Sequence, residues 1–144
     1  MQTFLPYKSF KQSVHSLDYK RLGKQRVEAL QLLKSIYLED YGWRNHPASK
    51  MWRDYPEALQ HYMNVCIDEW VKRGYNNTMQ KAKVNTETLK FPTWLGDERL
   101  HDSHKSNLLK KDRDFYVQYN WAVPMDLPYY WCGFGKTDKQ YYGE

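Results

Sequence analysis

Between Ser16 and Leu38 the apolar residues Leu22, Val27, Ala29, Leu30, Leu33 and Ile36 recur at intervals that keep one broad stripe of an α-helix turned inward. A stripe of that length needs other apolar faces to cover it, so this segment constrains the whole chain to pack around a helix. Ser16 is the expected N-cap, and Asp18 suits the positive end of the first turn. Gly23 costs such a helix about 1 kcal/mol relative to alanine. Either something approaches closely there, another helix or a ligand backbone, or the glycine is a plain fault in propensity.

A second helix is expected over about Ser49 to Arg73, with Leu59, Tyr62, Met63, Cys66, Ile67 and Trp70 as its stripe and Gly74 as its stop. Pro56 lies inside that span and predicts a break near Tyr55. A third helix should begin after Gly96, capped by Asp97, and reach about Asp112. The opening residues to about Lys11 read as extended, and Asn76-Asn77 and Phe91-Pro92 mark turns in a polar stretch over residues 75–96. Pro124 and Pro128 punctuate an aromatic segment ending in Tyr129-Tyr130-Trp131. The fold class that follows is all-α: a compact three-helix single domain over residues 1–144, with long aromatic-rich loops and a frayed tail over about residues 136–144.

The loops carry much of an unusual aromatic content of 13 Tyr, 6 Trp and 5 Phe. Such side chains either fill a core or offer stacking surfaces to nucleobases. A net charge of +5 and a pI of about 9.1 point mildly toward a polyanionic partner. Cys66 and Cys132 are too few and too far apart for a disulfide scaffold or a structural zinc site. His101 and His104 share a helix face but lack a convincing third ligand, so no metal and no cofactor are expected. Neither a membrane span, a signal peptide nor a nucleotide-binding glycine loop is evident, and a cytoplasmic protein is expected, taken as a monomer.

On the first helix, Arg21, Lys24, Gln25 and Glu28 fall on one polar stripe, with Lys20 and Gln31 at its flanks. One reading is a solvated face in which Lys24 and Glu28 pair at i,i+4. The other is a phosphate-gripping face whose single carboxylate does chemistry. Cleaving a nucleoside C–N bond develops positive charge on the sugar, and a carboxylate beside it stabilises that charge or moves protons.

The run Leu17-Asp18-Tyr19-Lys20-Arg21-Leu22-Gly23-Lys24-Gln25-Arg26-Val27-Glu28 resembles the first-helix motif of the pyrimidine-dimer DNA glycosylase/abasic-site lyase family, the phage endonuclease V type. The similarity is greatest to a bacterial and phage branch that also carries Asn45-His46-Pro47, Lys72-Arg73-Gly74-Tyr75 and Ser103-His104-Lys105-Ser106-Asn107-Leu108. It implies an all-α fold of the endonuclease V kind, in a bacterial or phage-infected cell. It implies Glu28 as the catalytic carboxylate and Arg21, Lys24 and Arg26 on DNA phosphates, with Gln25 beside them. Arg21 stands where the characterised enzymes have a histidine. Their nucleophile is a free N-terminal α-amine exposed by loss of the initiator Met; here Gln2 is bulky, so Met1 is expected to stay and to present that amine.

On the same reading, His46 lies near the reacting sugar or base, and Arg44 and Asn45 beside it, with Ser103, His104, Lys105 and Lys110, contact phosphates, Lys110-Lys111 extending the positive surface. Trp43, Trp94, Tyr129 and Trp131 are candidates for stacking on an extruded base. The implied function is a DNA-binding base-excision glycosylase for damaged or modified pyrimidines, with or without strand cleavage at the abasic site. A non-catalytic binder of nucleotides or modified bases on the same fold is the alternative. A third reading is an interaction protein whose aromatic tail docks a partner.

Overall fold

The computed structural model describes residues 2–142. Its first two helices, α1 (Phe10–His15) and α2 (Tyr19–Tyr37), divide the N-terminal third. Ser16 closes α1, its N–H reaching back to Gln12 O, and Asp18 takes the N-cap position of α2. The expected single start at Ser16 is thereby corrected. Phe10 and Val14 are buried, and this tertiary packing holds a six-residue helix that the α2 periodicity did not announce.

Next come α3 (Pro47–Trp52) and α4 (Pro56–Lys72), parted at Tyr55 as Pro56 requires. Each starts on a proline, whose missing N–H costs nothing in a first turn. Helix α5 (Glu98–Lys111) begins where expected, with the Asp97 side chain accepting from Arg99 N–H. A short α6 (Arg113–Tyr116) and 3-10 turns at Val117–Tyr119 and Lys136–Tyr141 complete the order, with no strand among the described residues. Among the described residues no helix is long and apolar enough to cross a membrane.

The core forms where α2 packs on α4, with α1 and α3 against them. Gly23 faces α4: a Cβ there would stand 3.1 Å from the Trp70 ring, so the close approach is that of another helix. Phe10, Trp52 and Tyr62 form one aromatic cluster, with ring centroids 5.4 to 6.1 Å apart.

The opening segment, Gln2–Pro6, is extended and buried. Without a sheet or helix to pair with, its backbone groups must be taken by side chains. Leu5 N–H donates to His104 Nδ1 at 2.9 Å, and His101 Nδ1 meets Leu5 O at 2.7 Å. Gly96 N–H donates to His101 Nε2 at 3.0 Å. The two histidines therefore clamp the backbone of one residue, Leu5, from both of its peptide groups rather than share a ligand.

The tail departs from expectation. Asp138 is 2% exposed and its carboxylate accepts from Trp131, Gly133 and Gly135 N–H. Tyr141 packs on Tyr130 and donates to Pro128 O, while Thr137 donates to Tyr129 O. Residues 136–142 are thus docked rather than frayed; residues 143 and 144 lie outside the described residues.

Candidate active site

The polar stripe of α2 forms one wall of a cavity of about 320 Å³. Arg21, Lys24, Gln25 and Glu28 come from α2, Gln2 and Phe4 from the opening segment, and His46 from the N-cap of α3. Lys111, at the end of α5, and Tyr129 and Trp131 of the C-terminal segment close it. Of the residues singled out in the sequence, eight meet here: Arg21, Lys24, Gln25, Glu28, His46, Lys111, Tyr129 and Trp131.

Glu28 is half-buried, and its Oε2 accepts from Gln2 N–H at 3.1 Å and from Gln25 Nε2 at 3.2 Å. Arg21 is held by Asp18 Oδ2 at 3.2 Å, and the other Asp18 oxygen accepts from the buried Tyr116 hydroxyl. With Lys24 and Lys111, one carboxylate faces three cations, a balance suited to a polyanion approached by a single acid group.

His46 Nδ1 accepts from Ala48 N–H at 3.1 Å, which leaves the proton of the neutral ring on Nε2. Burial holds this imidazole below its ordinary pKa, so near neutral pH it is an uncharged Nε2–H donor. Trp131 stands edge-on to it, with centroids 5.4 Å apart. Burial, with the charge of Glu28, pushes the Tyr129 hydroxyl up to about 12, so it remains a neutral donor and acceptor.

Several expected contacts are elsewhere. Ser103 and His104 are fully buried and cannot reach phosphate: Ser103 bonds Leu100 O and Tyr130 N–H, and His104 belongs to the Leu5 clamp. Gln25, 1% exposed, is likewise committed to internal partners rather than phosphate. Arg26 points away, over the Trp70 ring at 4.2 Å, and donates to Asn77 Oδ1. Lys105 lies over Tyr7, and Trp94 donates to Met51 O and packs edge-on against Trp52. Trp43, Arg44, Asn45 and Lys110 are exposed without lining the cavity, although Trp43 does touch the His46 ring. Met1 lies outside the described residues.

Two lining residues were not among the candidates: Gln2 and Phe4. No local signal marks Gln2 or Phe4. A larger, mainly apolar groove of about 1190 Å³ runs beside α1 and α4, past Phe10, His61 and Phe91, and contains none of the stripe.

The Trp131 wall depends on Asp138. Cys132 and Gly133 both adopt positive φ, a tight loop that the carboxylate holds through three N–H groups. Asp138→Ala would strand those donors and is expected to lower stability by about 1–3 kcal/mol in thermal melts. It should also raise the mobility of Trp131, read as loss of a blue-shifted component in tryptophan fluorescence.

No curated protein and no solved structure matches the chain. Residues 1–83, which contain α2 with its carboxylate and cations, the opening segment and His46, match the family of pyrimidine dimer DNA glycosylases; Lys111, Tyr129 and Trp131 lie beyond the match. With more than half of its length matched, including the polar stripe of α2, the chain belongs to the pyrimidine dimer DNA glycosylase family.

Proposed function

We propose that the protein is a DNA base-excision glycosylase for a damaged or modified pyrimidine, with Glu28 as its catalytic carboxylate. The observation that carries this reading is the meeting of Glu28 with Arg21, Lys24 and Lys111 in one aromatic-walled cavity. The cations hold the phosphates that flank the target nucleotide. The extruded base lies among Phe4, Tyr129 and Trp131, and the Nε2–H of His46 donates to the sugar or base. As the C1′–N bond breaks, the electron pair leaves with the base, which takes up a proton, and Glu28 stabilises the positive charge left on the sugar.

Gln2 N–H bonds Glu28, and in the strand-cleaving form of this reading the nucleophile is the α-amine of the residue before it in the chain. Met1 is proposed as that nucleophile. Its amine attacks C1′ and the base departs; the C1′–O4′ bond of the sugar ring then breaks, O4′ taking up a proton as the nitrogen loses one, and the open-chain imine forms. Elimination at C2′–C3′ then breaks the C3′–O bond and cuts the strand.

The test is a panel of duplexes carrying either an ultraviolet dimer or a single modified pyrimidine, with and without borohydride. Release of a base, and a borohydride-trapped protein–DNA adduct, are the expected results. Absence of release from every duplex, with tight binding of mononucleotides, would replace this reading by the non-catalytic binder.

A further inference from the structure

Gln25 sits in the middle of the site and is closed to solvent. Its amide makes four hydrogen bonds. Oε1 accepts from Phe4 N–H at 2.9 Å and from the Tyr62 hydroxyl, and Nε2 donates to Gln2 O at 2.7 Å and to Glu28 Oε2 at 3.2 Å. Two of those partners are backbone groups with a single possible role each. Phe4 N–H can only donate, and Gln2 O can only accept, so the amide has one permitted orientation. Flipping it would set N–H against N–H and oxygen against oxygen.

That orientation has a chemical consequence. An amide N–H must point at Glu28, and it does so on the same oxygen that accepts from Gln2 N–H. Both donors fall on Oε2, which turns Oε1 into the oxygen available to a substrate. The amide is itself anchored from α4, because Tyr62 is fully buried and its hydroxyl also reaches Phe4 O at 3.2 Å. Three separate pieces of chain, α2, α4 and the opening segment, thus meet at one side chain.

We propose that Gln25, anchored by Tyr62, is a positioning residue that sets which oxygen of Glu28 faces the substrate and holds the start of the chain against it. The proposal rests on the glycosylase reading above. It also explains why an uncharged amide occupies the stripe between cations: a carboxylate at this position would repel Glu28 and lose the bond to Gln2 O.

The deciding experiment is a pH–rate profile of base release by wild type and Gln25→Glu, with duplex affinity measured alongside. In the variant, like-charge repulsion should move the acidic limb upward by about one pH unit or more. The rate on the plateau should fall at least about tenfold, while affinity for undamaged duplex changes about twofold or less. An active variant whose acidic limb coincides with wild type overturns the proposal and leaves the glycosylase reading standing. An inactive wild type defeats that reading, and this proposal falls with it. Should Gln25→Glu not fold, Tyr62→Phe decides: it keeps the shape but releases the anchor, and kcat should fall severalfold at constant KM. Unchanged kcat in Tyr62→Phe would overturn the proposal.

Discussion

Glu28→Gln is expected to reduce base release by about 10²–10⁴-fold, the usual range for loss of a positioned acid–base group. Geometry should survive the change. The glutamine carbonyl can still accept from Gln2 N–H and Gln25 Nε2, the two groups that hold the carboxylate now. What is lost is the negative charge opposite the developing cation on the sugar. Binding should not weaken, because removing an anion from among Arg21, Lys24 and Lys111 makes the surface more favourable to phosphates. Single-turnover base release and fluorescence anisotropy on the same duplex separate the two quantities. A variant that retains wild-type turnover would remove Glu28 from the chemistry, and a variant that loses binding instead would make it a structural residue.

The second large effect is on stability and concerns His104. Complete burial lowers its pKa to about 3, and Leu5 N–H occupies Nδ1. In the unfolded chain the imidazole takes a proton near pH 6.5. A histidine whose folded pKa is lowered is held neutral in the native state, so its contribution is complete above about pH 6.5. It is lost progressively as pH falls from there toward about 3, because the unfolded chain binds the proton and the folded one does not. The span corresponds to a loss on the order of 5 kcal/mol at its acid end, comparable to the whole stability of many domains. Burial lowers His101 as well, in the same direction. Denaturant titrations at pH 7.5, 6 and 4.5 should show the midpoint falling steadily. His104→Asn can keep an acceptor for Leu5 N–H while removing the titrating ring. Its stability at neutral pH should be lower because the side chain is smaller, but its dependence on pH should be visibly flatter. Parallel slopes for the two proteins would show that acid lability arises elsewhere.

Both predictions concern residues that look alike in the sequence: polar side chains at helical spacing in a basic, aromatic chain. Glu28 stands out in the sequence because its neighbours on the stripe are cations and because the motif around it resembles a known family, of which the chain proves to be a member. His104 and Ser103 were misplaced on phosphates for an equally definite reason. Their partners, Leu5 N–H for one and Leu100 O and Tyr130 N–H for the other, include groups up to 99 positions away, and no local pattern marks a polar residue that serves a distant backbone. The tail was read as frayed because its composition is polar. Asp138 gathers three N–H groups of a loop that is visible only once folded.

By itself, then, the sequence determined the elements whose causes are local. Pro56 parts α3 from α4, Asp97 opens α5, and apolar spacing sets most of the inward face of α2, Val27 being exposed instead, with Arg21, Lys24 and Glu28 off that face. Only the tertiary structure decided which of those polar residues reach the cavity and which serve the interior. An extended, buried opening segment has to bond its peptide groups to something, and it takes Gln25, His101 and His104 as partners, which removes His104 from the expected phosphate surface and commits the Gln25 amide to the interior. The same segment brings Gln2 and Phe4 to the cavity beside Glu28, while the Asp138 loop brings Trp131 against His46.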